Sequence, residues 1–340
     1  MKKIYLFALV SFALVIIFSS CAKKTTRSFS FAFYNVENLF DTIDDPNIDD
    51  KNYLPDSKVA WNTERYNHKL ENMTKVMKSI DTTGFPALFG LCEVENIDVV
   101  TDLINHTNLK NAGYSIIHKD SPDGRGIDVA LLFNPEVFTP VNVSYIVPNF
   151  PEEDSVKTRD ILYSKGVINK HDTLHIFINH WVSRWGGQEE TEPMRIQIAK
   201  DIKRITDSIL TQQPKANILI AGDLNDNPTD TSVFNVLKAK EVSDKHADKT
   251  LYNLSLTQFK NGEGSLYYKS WDMFDQIIVS TSMLTGTNGL KVTSPNQIVY
   301  KEDWMLYQPK KGPARPSRTA AGRYYGGYSD HLPVIVKISN

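Results

Sequence analysis

Phe29, Phe31 and Phe33 alternate with small residues, the period-2 signature of a strand with one apolar face, and the run passes straight into Asn35, Val36 and Glu37. Residues 41–60, rich in Asp, Asn and Pro, predict a long loop. Leu70, Met73, Met77 and Ile80 then recur at helical spacing, with Asn62 or Thr63 available as the cap. A buried strand is expected over 87–92, a helix near 98–107, and strands near 114–119 and 127–133. A strand pair brackets the region from Val141 to His180, ending in residues 173–179. The longest helix is expected to begin at Thr191, Glu192 and Pro193, where proline suits a first turn. Its apolar stripe is Ile196, Ala199, Ile202, Ile205 and Ile209. Strands at 218–221, 274–280 and 333–338 complete the series. No repeat or low-complexity linker divides it, so the pattern predicts one α/β domain whose strands carry polar groups at their ends.

The start of the chain follows a different pattern. Lys2 and Lys3 precede an almost wholly apolar stretch, Ile4 to Phe18, followed by Ser19, Ser20 and Cys21. The stretch is shorter than the ~20 residues that span a bilayer and suits a signal peptide. Ser-Ser-Cys resembles a bacterial lipoprotein processing site, in which Cys21 becomes the acylated first residue, with Phe18 where Leu is usual. An ordinary signal peptide and an uncleaved anchor helix are the other readings. The expected organisation is a signal peptide over 1–20, a polar tether over 21–28 and a folded domain over 29–340. The protein would then be exported and held by lipid on a bacterial membrane, at its periplasmic or cell-surface face. Cys92 lies in an apolar run and reads as a buried thiol, so no disulfide is expected.

With 41% hydrophobic and 23% charged residues, the 340-residue chain has enough apolar material for a large core, which argues against disorder. The formal charge is −2; the first twenty residues hold Lys2 and Lys3 and no acid, so without them it is −4. A protein holding nucleic acid mainly by field strength is expected to be basic. Tight nonspecific DNA binding therefore gains no support, whereas an enzyme with a local phosphate site remains allowed.

Polar clusters recur where the expected strands stop. Taken singly, each has an ordinary structural explanation: Asn35 and Glu37 could cap a turn, Glu93 and Glu95 could be solvated, and residues 223–228 make a turn on their own. Together they are harder to dismiss. Gly-Asp-Leu-Asn (222–225) directly follows an apolar run, placing Asp223 and Asn225 on one side of a strand end. Ser-Asp-His (329–331) directly precedes the last strand. Acid, amide and imidazole groups without thiols suit a hard divalent cation such as Mg²⁺ or Mn²⁺ rather than structural zinc.

Seven segments carry a family resemblance: Tyr-Asn-Val-Glu-Asn-Leu-Phe (34–40), Leu-Cys-Glu-Val-Glu-Asn (91–96), Gly-Ile-Asp-Val-Ala-Leu-Leu-Phe (126–133), Ile-Asn-His-Trp (178–181), Ala-Gly-Asp-Leu-Asn-Asp-Asn-Pro (221–228), Asp-Gln-Ile-Ile-Val-Ser (275–280) and Tyr-Ser-Asp-His-Leu-Pro (328–333). In this order they resemble the endonuclease/exonuclease/phosphatase superfamily, the deoxyribonuclease I-like enzymes, and most of all bacterial predicted extracellular nucleases. The resemblance implies a four-layer α/β sandwich, two packed mixed sheets flanked by helices, with 29–340 as its catalytic domain. It implies Glu93 as the principal metal ligand, with Glu37, Asn35 and Asp330 beside it. Glu37 stands where many members have Asp. Asp223 and Asn225 would orient the attacking water and bind the scissile phosphate. His331 would pair with Asp275, and His180 would donate to a phosphate oxygen or protonate the leaving group. The implied reaction is in-line attack of water on phosphorus, assisted by Mg²⁺ or Mn²⁺, with Ca²⁺ a further candidate.

Around this centre Arg184 and Arg195 are candidate phosphate donors, with a surface arginine beside a mobile loop as the other reading, and Arg159 in Thr-Arg-Asp (158–160) resembles a family phosphate-side position. Lys310, Lys311, Arg315, Arg318 and Arg323, interleaved with Tyr307, Tyr324, Tyr325 and Tyr328, suit phosphates and stacked bases and equally suit a solvated loop. Asp44, Asp45, Asp49 and Asp50 read first as a solvated acidic loop, with a structural Ca²⁺ as the other reading. The leading expectation is a monomeric secreted nuclease acting on DNA or RNA. A phosphatase or phospholipase C-like enzyme acting on inositol or sugar phosphates or lipid headgroups shares the scaffold. A non-catalytic surface lipoprotein that uses the fold for binding is the third reading.

Overall fold

The computed structural model describes residues 27–82, 84–150 and 156–340. The expected signal peptide, Cys21 and most of the tether lie outside the described residues. The alternating segment is the strand Ser28–Leu39, which runs parallel to Leu88–Val94 and antiparallel to the closing strand Val334–Ser339. These three belong to a seven-stranded mixed sheet that continues through Asp128–Phe133 to Ser115–His118 on one side and to Lys291–Val292 on the other. A second seven-stranded sheet runs in the order Phe138–Ile146, Ile161–Ile168, Asp172–His180, Asn217–Asp223, Asp275–Ser280, Leu251–Asn253, Lys240–Glu241.

Strand alternation builds three apolar layers. Phe31 and Phe33 face the second sheet, where Leu162, Ile176, Ile178, Leu219, Ala221 and Ile277 meet them in one buried cluster. Their neighbours Ala32 and Tyr34 face the other way, under the helices Thr63–Ser79 and Ile97–Asn105, with Met73, Met77, Val99 and Leu103. On the far side, Phe177, Ile218 and Ile220 are covered by Ile198, Ala199 and Ile202 of the helix Gln188–Gln212. The order is helix, sheet, sheet, helix, and each fully buried large apolar side chain stabilises it by about 1.5–3 kcal/mol. The sheets approach most closely beside Gly90, where a Cβ would stand 2.8 Å from Ile178 Cδ1.

The caps follow side-chain chemistry. Asn62 accepts from Arg65 N, and Asn96 accepts from both Asp98 N and Val99 N. The long helix begins at Gln188, earlier than the expected Thr191–Pro193, so Pro193 lies inside it. Arg195 explains the early start: its guanidinium donates to Gln188 O and Thr191 Oγ1 and holds the added turn. The expected loop at 41–60 contains only the short 3₁₀ turn Lys51–Tyr53. Its acids close on themselves, Asp50 accepting from Asp45 N and Asp44 pairing with Lys51. Among the described residues, no helix is long and apolar enough to cross a membrane.

Candidate active site

Three residues of the second sheet lie on one rung. His180 is the register partner of Asp223, and Asp223 is the partner of Asp275. All three sit at the ends of their strands, and all are buried. His331 meets this row from the loop before the closing strand. Its Nδ1 bonds Asp275 Oδ2 at 2.6 Å, and its Nε2 lies 3.6 Å from Asp223 Oδ2. Ser265 Oγ donates to the same Asp275 oxygen at 2.6 Å. Burial opposes charge on His331, but Asp275 and Asp223 outweigh it and raise its pKa well above the ordinary value. This imidazole is therefore a cation.

The first sheet adds an amide and a second carboxylate. Asn35 Nδ2 donates to Asp223 Oδ2 at 3.0 Å and to Glu93 Oε1 at 3.3 Å, joining the two sheets across the site. Glu93 Oε2 accepts from Asn38 N at 2.9 Å. His180 Nε2 stands 3.8 Å from both Glu93 and Asp223. Burial, with Arg159 and Arg125 adding to it, lowers the His180 pKa well below normal, so this ring is neutral, and its Nδ1 has no hydrogen-bond partner among the described residues. Burial pushes Asp223 up to about 6, with Asp275 raising it further and His331 opposing.

The backbone is bent to make these contacts. Glu37, Asn38, Glu93 and Asn225 all have positive φ, between 50° and 62°, which L-residues adopt at a cost of about 1–3 kcal/mol each. Strand register shifts between Asn35 and Leu39 and again between Cys92 and Val94, so Glu37 and Glu93 both fall at bulges, which re-aim side chains. Asn225 N donates back to Asp223 Oδ1 at 3.0 Å, fixing that carboxylate in the turn.

The four expected metal-side residues divide into two groups. Asn35 and Glu93 join Asp223 and His180. Glu37 does not: its Oε1 accepts from Arg318 Nε at 2.9 Å and its Oε2 from Thr319 N at 2.6 Å. Arg318 also pairs with Asp330 at 2.8 Å, so Glu37 and Asp330 are joined through one guanidinium. Burial, and then Asp330, raise Glu37 to about 8. Glu37 is therefore held in the Arg318–Asp330 network, apart from the Asn35–Glu93–Asp223 contacts.

A divalent cation fits the first group. Glu93, Asp223 and Asp275 face a single imidazole, His331, so the carboxylates gathered here outnumber the cation beside them. The donors are carboxylate and imidazole, the set expected for a hard or borderline ion. Ligand atoms of Asp223, Asp275 and His331 lie within 4.8 Å of one another, as do those of Cys92, His180 and Asp223. Cys92 is a weak candidate, because burial raises its thiol pKa well above normal.

The guanidiniums of the three expected phosphate arginines are bonded to neighbouring acids and carbonyls. Arg159 is buried, bonding Asp123 Oδ2 at 3.0 Å, His180 O at 3.2 Å and Trp181 O. Arg195, fully buried, pairs with Asp226 at 2.8 Å besides its helix contacts. Arg184 bonds Asn225 O at 2.7 Å and Asp226 at 2.9 Å, and also Asp230. Arg159 thus holds the backbone at His180, and Arg184 holds it at Asn225.

Ser265 and Lys69 carried no signal in the motifs. Lys69 is buried and donates to Thr319 Oγ1 at 2.6 Å and Tyr328 O at 2.8 Å, tying the loop of Arg318 to the helix. Its position four residues before Met73, on the apolar stripe, is the one clue the sequence held.

Residues 30–340 match the family model described as Endonuclease/Exonuclease/phosphatase family, and the chain belongs to that family. The family's members are divalent-metal-dependent phosphoesterase hydrolases. The fold is similar to that of an endonuclease/exonuclease/phosphatase family protein from Bacteroides thetaiotaomicron, at 15% identity and a TM-score of 0.56, covering 92% of this chain and 98% of that one. It is also similar to the Bacteroides thetaiotaomicron mannosyl-6-phosphatase Bt3783 (15% identity, TM-score 0.55, 91% and 99% covered). D. rerio TDP2 complexed with single strand DNA product is comparable (14%, 0.55, 92% and 99%). No curated protein matches the sequence.

Proposed function

We propose that this chain is a secreted phosphodiesterase that hydrolyses DNA or RNA. The observation that carries the reading is the His180–Asp223–Asp275 rung closed by His331, with Asn225 and Glu93 converging on Asp223 through its turn and through Asn35. Glu93 would hold Mg²⁺ or Mn²⁺ together with water and phosphate oxygens, and the ion would offset the charge of the scissile phosphate and of the oxygen being added. Asp223, poised near neutrality, takes the proton of the attacking water as its oxygen bonds to phosphorus. His331, cationic and fixed by Asp275, donates from Nε2 to a phosphoryl oxygen. His180 is neutral and serves as an N–H donor to the phosphate rather than as the acid for the leaving group. The P–O bond to the leaving oxygen then breaks, and that oxygen takes a proton from solvent.

The scaffold serves both a mannosyl-6-phosphatase and a protein complexed with single strand DNA product, so substrate choice rests on this chain's own surface. Arginines and tyrosines lining the cavity beside Asp330 favour nucleic acid over a sugar phosphate. Lys2–Lys3, the apolar run and Ser19–Ser20–Cys21 support export and a lipid anchor on Cys21. The test is to offer plasmid DNA, RNA, mannose 6-phosphate, inositol phosphates and sphingomyelin in parallel, with Mg²⁺, Mn²⁺ or Ca²⁺. Cleavage of nucleic acid alone supports the proposal; cleavage of a monoester or a lipid alone overturns it.

A further inference from the structure

A cavity of about 570 Å³ opens beside Asp330, within the range of small-molecule sites. Its walls include Tyr267, Tyr307, Arg315, Arg318, Arg323 and Tyr325. Three guanidiniums gather here in a chain whose formal charge is −2. Arg318 is engaged by Glu37 and Asp330, but among the described residues Arg315 and Arg323 pair with no carboxylate. Each lies over a tyrosine ring instead, Arg315 at 5.5 Å from the Tyr307 centroid and Arg323 at 4.7 Å from that of Tyr325. Stacking fixes the guanidinium plane and leaves its N–H edges for an anion. Tyr307 and Tyr325 are each half exposed, so ring surface is open to a ligand as well.

These walls are built, and they adjoin the reacting centre. Tyr307 and Arg315 are register partners in a short hairpin. The next loop is pinned by Gly327 N to Arg318 O, Ser317 N to Met305 O and the Lys69–Thr319 bond. Asp330 precedes His331 in the chain, and Leu266, beside Tyr267, forms a bridge to His331. The cavity is therefore the immediate neighbour of the imidazole that would face the scissile phosphate.

We infer that this cavity is a second anion subsite: Arg315 and Arg323 hold a phosphate adjacent to the one being cleaved, with the intervening base against a tyrosine ring. The inference rests on the phosphodiesterase reading and narrows it, since the preferred substrate becomes an oligonucleotide with a flanking phosphate rather than a minimal diester. The experiment compares kcat/KM of the full chain on a dinucleoside monophosphate and on the same molecule phosphorylated at both ends. About tenfold preference for the phosphorylated form is expected, mainly through KM, as one charge-assisted contact supplies. In Arg315→Gln/Arg323→Gln, with melting temperature as the control for folding, the preference is expected to fall to about twofold or less. No preference in the wild type, or a preference that survives in the double variant, overturns the inference. If neither compound is hydrolysed, the phosphodiesterase reading fails, and calorimetry with adenosine 3′,5′-bisphosphate decides the subsite separately. Binding weakened in the double variant supports it; absent or unchanged binding overturns it.

Discussion

His331 and Asp275 share a 2.6 Å hydrogen bond from Nδ1 to Oδ2, which fixes the ring so that Nε2 faces Asp223. The carboxylate sets the tautomer and sustains the imidazolium, and Ser265 holds the carboxylate in turn. In Asp275→Asn the amide cannot stabilise that cation. The His331 pKa, followed by NMR, is expected to drop, and kcat to fall by about 10²–10⁴-fold, as when a buried Asp is removed from a comparable pair. Unchanged kcat would show that the pair is structural only.

Glu93 is the metal ligand we propose, and it is joined to Asp223 through Asn35. Adding Mg²⁺ or Mn²⁺ at about 100 times its Kd stabilises the fold by about 2.7 kcal/mol, which a melting curve reads as a rise of several degrees. Chelator reverses the rise, and Glu93→Gln abolishes most of it. A melting temperature in Glu93→Gln that still responds fully would move the metal elsewhere.

Arg195 separates a brace from a clamp. It is fully buried and paired with Asp226, so Arg195→Leu leaves that buried carboxylate to Arg184 and Ser232 alone and is expected to cost about 1.5–3 kcal/mol. Denaturant unfolding reads that loss. A variant that kept its stability but lost substrate affinity would restore the phosphate-clamp role.

His175 gives an acid-dependent stability loss away from the site. Burial, with Lys165 adding to it, lowers its pKa to about 4, and its Nδ1 is bonded to Tyr163 Oη. The unfolded chain binds a proton near pH 6.5 that the folded protein refuses. Stability is therefore unaffected above about pH 6.5, declines as pH falls from there, and levels off near pH 4. The decline is about 2 kcal/mol after allowance for solvent screening. Denaturant midpoints across this window should show a shallower decline in His175→Gln.

Gly90→Val places branched carbon where even a Cβ would stand 2.8 Å from Ile178 Cδ1. Overpacking between the sheets is expected to cost about 1–3 kcal/mol, measured as a lower denaturant midpoint.

Much of this was readable in the sequence. Phe29, Phe31 and Phe33 announced the central strand because period-2 alternation reports which face is buried. Asp223 and His180 were legible as strand-end groups, since each follows an apolar run, whereas Asp275 was marked only by the family resemblance. Their sharing of one rung was not legible, because register depends on pairing that a single strand does not encode. The bulges at Glu37 and Glu93 were equally hidden, as positive φ at a non-glycine residue leaves no local sign. Arg184 and Arg195 beside His180 read equally as phosphate clamps or as surface arginines beside a mobile loop until the fold brought Asp226 to them. Two-residue strands such as Leu266–Tyr267 are too short to show any period.

Cleavage of single-stranded DNA by the wild type and by Asp223→Asn, each with Mg²⁺ and with excess chelator, measures whether the proposed centre performs the chemistry. Chelator-sensitive cleavage by the wild type, reduced at least about 10²-fold in Asp223→Asn with the melting temperature retained, is the predicted result. Cleavage that survives chelator, or persists undiminished in Asp223→Asn, would contradict it.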